Sequence, residues 1–383
     1  MSAATSSTPD AEAMSVEALF QPFACKSLKP PNRIAMASMA RWATPGGDPA
    51  PLADFYRRRI EGGTGLILTE GANPNRPAAG NDPASLKLYG PALDHWPAVT
   101  GAVHAAGGAI MPQLWHCGAT AKPGQKWTPP APFESPSGRQ APGMERGVAM
   151  DEIATLETIA AFADAAESAR AAGFDGVEIH AGHGYLLDQF LWAATNDRTD
   201  RWGGSTLTTR SRFPLEVVKA VRAAVGPDFA VSLRISQWKS ADLTARLVET
   251  PQALEAWLAP FVEAGVDIVS VSQLRWDTPE FEGSPLSLAG WVKKTLGVPT
   301  ILAGGIGMSG DFIRSFMGQP GQPEPLDAVA ARLEAGEFDL IAVGRGLLAD
   351  PDWARRVRGG LPRSDCPPAR LLAGVTPSDS EQA

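Results

Sequence analysis

The sequence predicts a single (β/α)8 TIM barrel. Three observations carry that prediction: eight short β-branched runs, amphipathic segments between nearly all of them, and Gly or Pro flanking most of the runs. The strand candidates are Arg33–Met39, Gly65–Glu70, Ala109–Trp115, Gly176–His180, Ala230–Ile235, Ile268–Ser272, Thr300–Ala303 and Leu340–Val343. Helix candidates include Ala53–Gly62, Leu93–Ala106, Ile153–Ala172, Arg210–Val225, Pro251–Ala264 and Leu288–Leu296, each with apolar residues three and four positions apart. Strands that alternate strictly with helices pair in parallel, because every parallel neighbour needs a crossover. Eight evenly spaced units favour closure into a barrel over an open doubly wound sheet.

Composition narrows the function classes. The chain has 383 residues, 44% hydrophobic and 20% charged, with a formal net charge of −8. An acidic chain without a Lys/Arg block is a poor partner for nucleic acid or an anionic membrane. Cys25, Cys117 and Cys366 are odd in number, far apart and free of any C-x-x-C pair, so neither a disulfide framework nor a cysteine metal site is expected. Met1–Ala13 has no basic stretch followed by an apolar core, so a signal peptide is not expected. No run reaches the 18 apolar residues of a membrane span, and the expected location is the cytoplasm.

Two segments interrupt the rhythm within a barrel expected over residues 16–365. Residues 117–150, rich in Pro and Gly, are too long for a connection and are expected to cap the mouth after the third strand. Gly318–Pro325 (GQPGQPEP) is expected as a solvent-exposed insertion after the seventh strand. Residues 1–15 and 366–383 are expected to be disordered tails.

Alternation along the strands selects the inward side chains. In the fifth strand Ser232 and Arg234 point inward, while Val231, Leu233 and Ile235 face helices. A buried guanidinium keeps its charge and needs an anionic or strongly polar partner, either a ligand or Glu178. In the fourth strand Glu178 and His180 face in, and the chain then turns through Ala181, Gly182, His183, Gly184 and Tyr185. Two of five histidines and one of three tyrosines thus meet at the strand ends where barrels carry catalysis. They read as two imidazole donors for one oxyanion with a phenolic proton source; a metal pair and packed core histidines are the competing readings. Gln113 points inward from the third strand, with Trp115 beyond it, and suits either a heteroaromatic edge or an ordinary internal hydrogen bond. The last two strands end in Gly304-Gly305 and Gly344-Arg345, a pattern that suits a phosphate. GIGMSG at 305–310 matches a dinucleotide fingerprint, but it comes too late in the chain to open a first βαβ unit.

The run EIHAGHGYLLDQFL from Glu178 to Leu191, followed by NDRTDRWGGS from Asn196 to Ser205, closely resembles the signature of the Old Yellow Enzyme family of FMN-dependent ene-reductases. The likeness extends to NRIAMA from Asn32, QLWH from Gln113, AGGI from Ala303 and GR at Gly344, over about residues 17–360. The resemblance implies FMN held non-covalently at the barrel mouth and NADPH or NADH as reductant. It implies contacts to FMN from Ala37, Ser38, Met39, Ala40, Ala72, Gln113, His180, Arg234, Gly304, Gly305, Gly344 and Arg345. His180 and His183 would bind the oxygen of an activated alkene and Tyr185 would deliver a proton, with Trp115 and Trp276 walling the pocket. No metal is implied, and the chain would act as a monomer or homodimer. Alternative functions are a flavin-binding barrel with weak turnover and a reductase of nitro compounds or nitroesters.

One departure stands out. The family's first strand continues with Pro and, two places on, Thr or Cys at the flavin edge; this chain has Ser38 and Ala40. Loss of that donor is expected to lower the flavin potential.

Overall fold

The computed structural model describes residues 16–42, 44–122, 124 and 127–367. Its centre is a closed ring of parallel strands: β1 (Ile34–Met36), β2 (Leu66–Asn73), β3 (Ala109–Leu114), β4 (Gly176–His183), β5 (Ala230–Lys239), β6 (Ile268–Ser272), β7 (Thr300–Ala303) and β8 (Leu340–Val343). Closure is direct, because β1 pairs with both β2 and β8. Around the ring lie α1 (Leu52–Glu61), α2 (Trp96–Ala105), α3 (Glu152–Ala171), α4 (Arg212–Val225), α5 (Pro251–Glu263), α6 (Leu288–Leu296), α7 (Asp327–Glu334) and α8 (Trp353–Arg358). This is the expected (β/α)8 barrel.

The strands read as nearly continuous apolar runs because both faces are buried. Ala35, Leu66, Leu68, Met111, Ile268, Ile301 and Leu340 fill the interior. Their neighbours Ile34, Ile67, Ile110, Val177, Val231, Val269, Leu302 and Ile341 pack outward under the helices. Leu28, fully buried on a short antiparallel bridge with Cys25, joins the interior cluster. Side-chain caps start several helices where the sequence places a polar residue before an apolar run. Asp151 accepts from the Ala154 N–H, Thr250 from that of Ala253 and Ser287 from that of Gly290. Among the described residues, no helix is long and apolar enough to cross a membrane.

Several boundaries differ from expectation. β1 ends at Met36 rather than Met39, because the chain turns away to Arg41, whose N–H donates to Glu70 Oε2 at 2.6 Å. β4 and β5 run on to His183 and Lys239. A register shift after Ile235 leaves Lys239 opposite His183 and extends the sheet through polar residues. Cys366, expected in a tail, is fully buried and exchanges two backbone hydrogen bonds with Gly321. Gly321 lies inside the insertion expected to be exposed, and it is buried too. A Cβ there would lie 2.7 Å from Met308 and 3.1 Å from the Arg345 guanidinium, so a larger residue would displace these side chains. The rest of both tails lies outside the described residues, apart from Pro367.

The segment after β3 carries an antiparallel pair, Arg139–Ala141 with Met144–Glu145, and a parallel pair, Glu134–Ser135 with Val148–Ala149. Arg76 holds its base through Glu134 at 2.8 Å, and Arg139 reaches Asp197 at 2.8 Å. Phe133 packs with Trp115, Cys117 and Ala78, and Tyr185 lies against that cluster. The insertion therefore closes onto the mouth residues.

Candidate active site

His180 ends the regular part of β4, where alternation points it into the barrel opposite Arg234 of β5. Its Nδ1 accepts from the Gly182 N–H at 3.2 Å, which leaves the proton on Nε2 as a donor. His183 stands three residues on in left-handed backbone, φ 61°, a strained conformation for a non-glycine residue. Three contacts hold it there. Its N–H donates to Ser236 Oγ at 2.8 Å, its carbonyl accepts from Ser240 Oγ at 2.7 Å, and its ring stacks on Trp238. The two imidazole centroids lie 4.9 Å apart, and His183 Nε2 is buried without a partner among the described residues.

Burial, and then the Arg234 charge, holds His180 well below the ordinary histidine range. Burial does the same to His183, with His180, Arg234 and Lys239 adding to it. Both rings are neutral at pH 7, so each can offer one N–H. Tyr185 follows on the next turn, 5.1 Å from His180 and edge-on to Trp115 at 5.2 Å. Burial pushes its phenol up to about 12, so it carries a proton throughout the neutral range.

Beneath this group the barrel is polar. Ser38 Oγ donates to Gln113 Oε1 at 2.8 Å, and Gln113 Nε2 donates to Glu178 Oε1 at 2.6 Å. Arg234 donates to Ser270 Oγ at 3.3 Å and lies 3.9 Å from Glu178. The internal ion pair weighed as an alternative thus exists, but it is long.

Past the end of β7, Gly305 and Gly307 adopt φ near 65°, and the 305–310 turn bends over Arg345, which follows β8. Arg345 is 6% exposed and donates to the carbonyls of Ser309 at 3.1 Å and Gly310 at 2.6 Å. Among the described residues it has no carboxylate within ion-pair distance. A buried cation bonded only to carbonyls suits a phosphate. Met39 packs against Gly344, where an added Cβ would lie 3.1 Å from its sulfur, and the Ala37 N–H donates to the Val343 carbonyl at 2.9 Å. Ala40 lies exposed beyond them.

The side chains of two expected residues turn to the outer layer. Trp276 is 7% exposed, belongs to the outer hydrophobic layer and lies 5.4 Å from the Arg332 guanidinium of α7. Its N–H donates to the Gly304 carbonyl, so the backbone reaches the mouth while the indole turns to the helices. Ala72 also packs in the outer layer, because a register shift between Leu68 and Gly71 changes the facing of the β2 end. Sequence reasoning missed Trp238, Lys239 and Ser270. Ser270 was available by alternation along β6, but Trp238 and Lys239 lie beyond the expected strand end. No group of three His, Cys, Asp or Glu side chains is placed to hold a metal among the described residues, so His180 and His183 lack the further ligands a metal reading needs.

The donor set fits FMN: an arginine for the phosphate, glycine turns beside it, and an amide and a second arginine for a polar ring edge. These groups stand together at one mouth of the closed barrel. Residues 18–364 match the NADH:flavin oxidoreductase / NADH oxidase family, and the chain belongs to that family. It is 34% identical to an NADH oxidase of Thermoanaerobacter brockii over 86% of this chain and 49% of the relative, so it spans about half of that protein. It is 30% identical to 12-oxophytodienoate reductase 7 of Oryza sativa over 91% of this chain and 90% of the relative. Morphinone reductase in complex with tetrahydroNAD superposes with a TM-score of 0.73 at 28% identity, covering 94% of this chain and 96% of the other.

Proposed function

We propose that this protein reduces the C=C bond of activated alkenes, α,β-unsaturated carbonyls and nitroalkenes, using NADPH or NADH. The observation that carries the reading is the neutral His180–His183 pair, with one buried unpartnered nitrogen, beside a phenol that stays protonated. Relatives named as 12-oxophytodienoate reductase, chanoclavine-I aldehyde reductase and morphinone reductase support the same substrate class.

Arg345, Gly304, Gly305 and Gly344 would hold the FMN phosphate, with Ala37, Met39 and Ala40 alongside. Gln113 and Arg234 would take the pyrimidine edge. When bound, FMN supplies the hydride. The two imidazole N–H groups meet negative charge as it develops on the substrate oxygen, and they do so from fixed positions. Tyr185 holds the proton destined for the α-carbon, and Trp115 walls the pocket on the phenol side.

The test is anaerobic mixing of the holoenzyme with NADPH or NADH and then with cyclohexenone, a maleimide or a nitroalkene. Bleaching of the flavin followed by recolouring supports the reading. Bleaching without recolouring by any alkene would leave a flavin-binding barrel and overturn it.

A further inference from the structure

Ser38, Gln113, Glu178 and Arg234 form one chain of polar contacts across the barrel interior. Ser38 Oγ meets Gln113 Oε1 at 2.8 Å, and Gln113 Nε2 meets Glu178 Oε1 at 2.6 Å. The same Glu178 oxygen lies 3.9 Å from Arg234. Glu178 is fully buried, and Gln113 and Arg234 are 4% and 5% exposed.

This arrangement determines the orientation of one amide. A carboxylate only accepts, so the Gln113 NH2 must face Glu178, and its oxygen then faces the Ser38 hydroxyl. Reversing the amide would set oxygen against oxygen at Glu178. Gln113 therefore keeps one donor and one acceptor site in reserve, in fixed places. The arrangement also brings a negative charge close to Arg234 where little water screens it. Glu178 Oε2 has no partner among the described residues, and neither does Ser232 Oγ, its cross-strand neighbour. A buried carboxylate with one idle oxygen is an expensive way to orient a single amide. A neutral side chain would do that at less cost, so the charge itself has a task.

We propose that Glu178 is a positioning residue that sets the reduction potential of the bound flavin, with Ser38 as its partner in fixing Gln113. The inference rests on the reading that Arg234 and Gln113 face the pyrimidine edge. Reduction adds negative charge to that edge, which Arg234 favours and Glu178 opposes. Glu178 thus holds the potential below the value that Arg234 alone would give.

The experiment is a spectroelectrochemical titration of the FMN holoenzyme, together with FMN dissociation constants, for the parent, Glu178→Gln, Ser38→Ala and Arg234→Met. Glu178→Gln keeps an acceptor for Gln113 and removes only the charge. It is expected to favour reduced over oxidised flavin by ten- to a hundredfold, about 30–60 mV upward at ~30 mV per tenfold for two electrons. A potential that is unchanged or lower overturns the inference. Ser38→Ala leaves every charge in place and is expected to weaken FMN binding at least about threefold, since the amide loses one of its two constraints; unchanged binding overturns the inference. Should Glu178→Gln not retain FMN, Glu178→Asp, which draws the charge back from Arg234, decides in the same titration: an upward shift supports the inference and no shift overturns it. Arg234→Met separates this idea from the reading beneath it. If its potential also fails to move, the flavin does not lie over Arg234 and the site assignment falls. If only Arg234→Met moves, the site stands and Glu178 has no such role.

Discussion

His183 and Trp238 lie face to face, with ring centroids 4.3 Å apart and planes inclined by 24°. The indole is itself anchored, since its N–H donates to the Ser272 carbonyl at 3.2 Å. Stacking of this kind contributes about 0.5–1.5 kcal/mol beyond area burial. It fixes the ring plane of a donor on a strained turn. Trp238→Leu is expected to lower kcat/KM for enones roughly three- to tenfold, with FMN content per chain unchanged. Steady-state kinetics on the FMN-saturated variant check this; an unaltered kcat/KM would mean the ring is held by other contacts.

Tyr185→Phe removes the phenol proposed as the proton source and keeps the ring against Trp115. Loss of a positioned general acid costs about 10²–10⁴ in rate. The alkene half-reaction is expected to slow by that order, and flavin reduction by the nicotinamide is expected to survive. Rapid mixing resolves the two steps, and equal loss in both would contradict the assigned role.

Three buried imidazoles predict how stability depends on pH. Burial, with Arg76 adding to it, drags His116 down to about 3, and His180 and His183 also lie well below their ordinary range. Unfolded histidines take up protons near pH ~6.5. Below that value the unfolded chain binds protons the native state refuses, so stability is full above it and declines as the pH falls. Burial raises the Asp188 carboxyl, which acts with the opposite sign. Urea midpoints of the holoenzyme at about pH 7.5, 6 and 4.5 should fall in that order, and His116→Gln should flatten the slope. Equal midpoints across the window would contradict the assignment.

Lys239 and Asp188 form an ion pair at 2.7 Å with neither side chain exposed. Asp188 also accepts from the Gly184 N–H at 2.7 Å, behind the turn that carries His183 and Tyr185. Removing one member leaves an uncompensated buried charge, which costs about 3–5 kcal/mol. Lys239→Met is expected to lose that much in urea unfolding, and Lys239→Met with Asp188→Leu to recover part of it. A double variant less stable than the single one would refute the pairing argument.

Ala40 follows Met39 on the exposed turn after β1, without the hydroxyl or thiol the family pattern carries there. Ala40→Thr or Ala40→Cys is expected to raise the FMN potential by restoring a donor to the reduced ring. A potentiometric titration that shows no shift rejects the idea.

Much of this was legible in the chain. Period-two alternation placed Ser232, Arg234, Glu178, His180 and Gln113 inside, because a strand buried on both faces leaves each side chain only two directions. Glycines at the ends of β7 and β8 marked the arginine at the mouth. Alternation failed where the sheet is irregular. The register shift after Ile235 carried β5 on to Trp238 and Lys239, and the one in β2 changed the facing of Ala72. The loop of Trp276 gives no periodic signal, and its indole lies in the outer hydrophobic layer beside Arg332 of α7.

Local periodicity and chain order are enough to state the barrel, the inward residues and the His180–His183–Tyr185 cluster from the residues alone. What those residues touch is another matter, settled by the folded ring. Gln113 meets a carboxylate 65 residues away, and Ser38 meets Gln113 across 75. Periodicity tells which way a side chain points; the partner it meets depends on strand register and on the turn beyond the strand end, which are set when the ring closes.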